Sequence, residues 1–187
     1  MSTQADAVWQ LPPGETAEGR LDALLAALRG FGDTELAGRS FCNSNVGYAW
    51  RGRAEQDGWD SAYVLMPWML ARVYLPLNAP PVELPVDWSA PARAGQPVQL
   101  IGPALDVAVG EELHRLHLQW LEGYGHFLLQ PLVQNLARYP DAAAVWGAWD
   151  GVLAARDRHR QERLAEMHRQ QAAVSRRDFL RRVVGAS

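Results

Sequence analysis

Leu21, Leu24, Leu25 and Leu28 recur at spacings of three and four, which draws one apolar stripe along a helix over residues 16–31. Thr16 stands where a cap accepts a backbone N–H, and Gly30 with Gly32 supplies a stop. Residues 36–44 then lead into a different pattern. Val46, Tyr48 and Trp50 alternate with small or polar neighbours, the period of a half-buried strand. Strands are expected over 46–54, 59–66 and 69–76, with Asp57-Gly58 as the turn between the first two. In the third, Met69, Ala71, Val73 and Leu75 define one face, and Leu70, Arg72 and Tyr74 the other. Pro67 interrupts the pair; having no N–H to donate, it is expected at a kink, edge or bulge.

Seven prolines between Pro76 and Pro103 exclude a central strand or helix over most of that stretch. It reads as an extended arm over the core, with Val82, Leu84, Val86 and Trp88 as contacts. Alternation returns at 105–109 and 116–120, the last strands of an antiparallel sheet. A short helix is expected over 128–138, with Pro131 in its first turn. From 141 to 173 there is no proline and much Ala, Arg, Glu and Gln, which makes a long helix. Val145, Trp146, Trp149, Val152 and Leu153 give it a packing face. Arg156, Asp157 and Arg160 end that face, so the remainder is polar nearly all round. The fold class expected is α+β, an antiparallel β-sheet packed with an N-terminal helix and a long C-terminal helix. Its parts are a flexible N-terminus (1–14), a single α+β domain (15–155) and an exposed basic helical arm (156–187).

Composition adds constraints. The 187 residues are 48% hydrophobic and 21% charged, within the range of globular chains. Charge is unevenly placed. Nine arginines face four acids from 156 onward, a balance of +5, and nine face 17 before it, a balance of −8. An acidic body with a basic tail invites self-docking or an anionic partner. The single Cys42 excludes an internal disulfide and fits a reducing compartment. No run of 18 apolar residues is present and the first 14 lack a secretory signal, so a cytoplasmic protein without stable membrane insertion is expected.

Most catalytic chemistry finds no support. His114 and His117 are three apart, with His126 following. That spacing serves a metal on a helix, whereas on a strand the two rings diverge, so the expectation is surface histidines and no metal. Cys42 has no assignable base and reads as a buried thiol. Phosphate-cradling glycine loops are absent. The chain is expected to be no enzyme and to need no cofactor. Acids interrupt the arginine-rich helix and the chain is acidic overall, which argues against a dedicated nucleic-acid binder.

Two features remain. Met66, Pro67, Trp68 and Met69 form a bulky strip at a proline-broken sheet position, either core or an adaptable apolar surface for a peptide. Ser175, Arg176, Arg177, Asp178, Phe179, Leu180 and Arg181 read like the core of a twin-arginine export signal. A working signal is N-terminal and runs on into apolar sequence. Only residues 182–187 follow here. The expectation is a copy of a signal, or simply a basic helix end.

Together these stretches resemble a family. The segment from Asn43 to Pro76, with Trp59-Asp60-Ser61-Ala62-Tyr63-Val64-Leu65-Met66-Pro67-Trp68-Met69-Leu70 and then Leu75-Pro76, is similar to the Thr-Pro-Trp block of the HybE/HupJ/HoxT-type assembly chaperones of [NiFe] hydrogenases. The ending from Val174 to Arg181 resembles the arginine-pair ending of that family. Two departures stand out. Met66 replaces the threonine, and Gly125-His126-Phe127-Leu128-Leu129-Gln130-Pro131-Leu132 stands where a cysteine-containing segment would be. The resemblance implies a non-catalytic maturation chaperone. Its partners would be the hydrogenase small-subunit precursor with its twin-arginine signal, and other maturation proteins. Met66, Pro67, Trp68 and Met69 would bind the client, and the chain's own Arg176-Arg177 would occupy the same groove when no client is present. The alternative is a generic protein-interaction or regulatory module whose arginine-rich C-terminal helix binds nucleic acid or an acidic partner.

Overall fold

The structure is a computed structural model that describes the backbone of residues 8–184 and the side chains of residues 8–171. Contacts divide the chain into two compact units, Met1–Ala143 and Ala144–Ser187.

The first unit opens with α1 (Ala17–Glu35), capped by the Thr16 side chain accepting from the Gly19 N–H. Six strands follow: β1 (Ala49–Gln56), β2 (Trp59–Met66), β3 (Met69–Pro76), β4 (Ala104–Val109), β5 (Glu112–Leu121) and β6 (Gly125–Val133). They form one antiparallel sheet in the order β1-β2-β3-β6-β5-β4. The arm between β3 and β4 holds a 3-10 turn (Val86–Trp88) and the four-residue α2 (Ala90–Arg93). The second unit belongs to α3 (Ala142–Val184). The α+β class is thus as the pattern predicts.

β2 and β3 are buried along their whole length, because both are interior and covered on both faces. Asp57 (φ 46°) and Gly58 (φ 84°) turn β1 into β2, the paired left-handed conformation that a tight hairpin requires. The alternation read in β3 holds. Ala71, Val73 and Leu75 join Ala62, Val64 and Met66 beneath Leu21, Leu24 and Leu28 of α1. Each such leucine taken from water contributes about 1.5–3 kcal/mol. On the opposite face Tyr74 joins Trp59, Leu116, Leu118 and Leu128. Leu84 and Trp88 of the arm are buried there with Val82 packed against them, whereas Val86 is 63% exposed.

Two expectations fail. The segment 128–138 is not a helix: Gly125–Val133 is a central strand between β3 and β5. Its apolar residues fill both sheet faces, and Pro131 is tolerated because the register slips beside it, between Leu70 and Ala71 of β3. Gly30 and Gly32 do not stop α1, which runs to Glu35 and closes when the Leu36 N–H bonds the Gly32 carbonyl at 3.2 Å. The opening residues make packing contacts from Trp9 onward. Trp9 is buried and donates from Nε1 to the Val82 carbonyl at 2.8 Å.

That N-terminal segment is pinned by His126, which the sequence placed on the surface and the fold buries completely. The Gln10 N–H donates to Nδ1 and Nε2–H donates to the Trp88 carbonyl, both at 2.8 Å. Burial pushes the imidazole below its ordinary value of 6.5, with the Trp88 carbonyl opposing.

Within the second unit, Val145, Trp146 and Leu153 of α3 are buried and Val152 is 52% exposed. Beyond Leu153 most described side chains are exposed. Glu166 accepts from Arg169 and Gln170 one turn on, the local pairing that sustains a solvated helix. Ser175, Arg176, Arg177, Phe179 and Leu180 lie within the helical backbone, but their side chains are outside those described.

Candidate client-binding face

Pro67 and Trp68 are the two central residues of the β2–β3 hairpin turn, since Met66 pairs directly with Met69. Proline suits the first of these positions because its ring presets the backbone there. All four residues of the strip are buried. Trp68 is only 4% exposed and belongs to the core under α1. Its indole meets Phe31 edge-on at 5.8 Å and Tyr48 at 5.9 Å between ring centroids.

The turn is nevertheless open on one side. A cavity of about 430 Å3 is bounded by Pro67, Trp68, Tyr48, Leu36 and Cys42, with Asp33 and Arg39 among its polar lining. Gly32 decides this geometry. A Cβ there would overlap the Tyr48 hydroxyl and come within 3.0 Å of the Trp68 ring. The residue read as a helix stop is a notch that lets tyrosine and tryptophan reach the helix. Phe41, two residues after Arg39, is 43% exposed.

Asn43 organises the loop beside the turn and was not singled out from sequence. Its N–H donates to the Pro67 carbonyl at 2.8 Å. Its side chain donates to the carbonyls of Leu136 (2.9 Å) and Tyr139 (2.7 Å) and accepts from the Asn45 N–H. The legible signal was the turn-prone Asn43-Ser44-Asn45; its long-range carbonyl partners were not.

Burial pushes the Tyr48 hydroxyl up to about 12, aided by Asp33 and Cys42 and opposed by Arg29, whose guanidinium lies 5.5 Å over the ring. Burial likewise raises the Cys42 thiol, with Arg39 opposing. Tyrosine and cysteine therefore stay neutral at ordinary pH, and neither is poised as a nucleophile. Neither Asp33 nor Arg39 forms an ion pair among the described residues.

The remaining sequence candidates scatter. His114 lies 3.4 Å from Glu112, and His117 bonds the Gly102 carbonyl through Nδ1 at 2.9 Å. No group of three potential metal ligands occurs among the described residues. No helix among them is long and apolar enough to cross a membrane.

The cavity beside the turn thus has an aromatic floor at Tyr48 and Trp68, charged residues of both signs in Asp33 and Arg39, and a neutral thiol and phenol. The model of the [NiFe]-hydrogenase assembly chaperone HybE matches residues 19–182, and the chain belongs to that family. It is a maturation chaperone of [NiFe] hydrogenases. No curated protein and no solved structure matches the chain.

Proposed function

We propose that this chaperone holds the precursor of the hydrogenase small subunit, through its twin-arginine signal, while cofactors are inserted and subunits assemble. The chaperone acts in the cytoplasm and does no chemistry of its own. Met66, Pro67, Trp68 and Met69 shape the seat, with Met66 and Met69 fixing the turn from below and Pro67 and Trp68 bounding the cavity. The observation that carries the reading is that cavity of about 430 Å3, apolar at Trp68 and Leu36, with Asp33 as the carboxylate and Arg39 as the cation of its lining. An apolar residue of the leader enters it, and a neighbouring arginine meets Asp33. The chain's own Ser175, Arg176, Arg177, Phe179 and Leu180 have the same chemistry and act as a competitor.

The test leaves the buried tryptophan alone. Ala37 is exposed and lines the cavity, so Ala37→Trp fills it from the loop. The variant is expected to capture the purified small-subunit precursor more weakly than the wild type, with an unchanged melting temperature. Deleting residues 174–187 is expected to tighten capture. If the wild type does not retain the precursor at all, the reading is wrong; if Ala37→Trp retains it fully, the cavity is not the seat.

A further inference from the structure

A second opening lies on the other flank of α1. Ala27, Gly30 and Phe31 of the helix face Pro97 and Val98 of the arm and Leu121 at the end of β5, enclosing a groove of about 660 Å3. Its floor is apolar. Its charged lining residues are Glu35, from the last turn of α1, and Glu122, from the β5–β6 turn, and no basic side chain lines it. Both carboxylates are exposed, and neither forms an ion pair among the described residues. The groove therefore differs from the Trp68 cavity, where Asp33 is balanced by Arg39. The two openings share a wall, because Phe31 of the groove meets Trp68 of the cavity edge-on.

We propose that this groove seats an arginine-bearing, partly apolar stretch of the client's leader. Its guanidinium groups reach Glu35 and Glu122, and an adjacent apolar side chain rests on Phe31, Val98 and Leu121. Charge complementarity selects the occupant. Unpaired carboxylates over an apolar floor attract a planar cation with a hydrocarbon stem and repel an acidic segment. Paired arginines need two acidic contacts, and the Trp68 cavity offers one. The proposal rests on the reading above only for who carries the segment.

Gly30 supplies the probe. It is exposed, and a Cβ there meets nothing within 4 Å, so Gly30→Phe projects a ring into the groove without disturbing the core. A labelled synthetic peptide with the sequence of a small-subunit leader, arginine pair included, is titrated into the full chain. Gly30→Phe and the double variant Glu35→Gln/Glu122→Gln are each expected to bind it about tenfold more weakly than the wild type. Raising ionic strength should loosen the wild type more than the double variant. Melting curves confirm that both variants fold. Wild-type binding that both variants match overturns the groove and leaves the chaperone reading intact. Capture of the whole precursor without binding of the peptide overturns the groove and also the leader as the point of contact, leaving only the holding of the precursor. If the wild type binds neither precursor nor peptide, both readings fall.

Discussion

The two faces of the sheet are covered in opposite ways. One carries a regular helix, α1, whose leucines seal the middle while its C-terminal end leaves openings on both flanks. On the other, the part around Trp59, Tyr74 and Leu128 carries irregular chain: the proline-rich arm and the N-terminal segment. These are held residue by residue, through Trp9 to Val82, Gln10 to His126 and to Trp120, and His126 to Trp88. Arg93 adds its guanidinium 4.7 Å over the Trp88 ring and a bond to the Pro97 carbonyl. A helix satisfies its own backbone and can end abruptly beside empty space. An arm with few internal hydrogen bonds must find partners for its polar groups, so it is fastened by side chains wherever it is buried. The openings beside Trp68 and Phe31 both adjoin this helix.

That contrast can be broken from either side. The largest effect is expected at Asp60, which lies under α1 at 0% exposure and pairs with Arg20 of the helix and, at 3.4 Å, with Arg53 of β1. Asp60→Ala leaves the largely buried Arg20 without its counter-charge and is expected to cost about 3–5 kcal/mol. A denaturation midpoint lowered with unchanged slope would check it. Gly32→Ala comes next. Tyr48 and Trp68 must yield to the new methyl group, at about 1–3 kcal/mol, and tryptophan fluorescence should shift with the displaced indole.

On the arm's face His126 is the lever. Its folded value is depressed, so its neutral form contributes stability that is full above about pH 6.5 and is lost as pH falls through the folded value. Protonation would also set Nδ1–H against the Gln10 N–H. His126→Leu is expected to cost about 2 kcal/mol near neutrality, through two unsatisfied backbone groups. Urea melts of wild type and variant should converge on acidification; a gap that stays constant would acquit the histidine. The smallest effect is Gly30→Ala. With open space at its Cβ, it should stabilise α1 by about 0.5–1 kcal/mol. Two glycines on one helix, two residues apart, thus carry opposite expected signs.

Much of this was legible in the chain. The span of β2 and β3, the facing of Ala71, Val73 and Leu75, the Thr16 cap and the Asp57-Gly58 turn each follow from local pattern, and each holds. The strip from Met66 to Met69 was legible as a proline-broken feature, but not as a hairpin turn with a cavity beside it. The misreadings share a cause. Gly32, Pro131 and His126 were assigned by what such residues do on average, and each is governed by a neighbour distant in sequence.

By itself, the sequence determined the α+β class, the alternation that gives the sheet two apolar faces, and the Pro-Trp block that points to the family. Periodicity and turn chemistry are properties of adjacent residues, so they survive without the fold. Only the tertiary structure decided that Gly32 is a notch for Tyr48 and Trp68, that His126 fastens the N-terminal segment, and that α1 ends between two openings. Those outcomes depend on which atoms meet across the sheet, and contact between residues far apart in the chain leaves no local period to read.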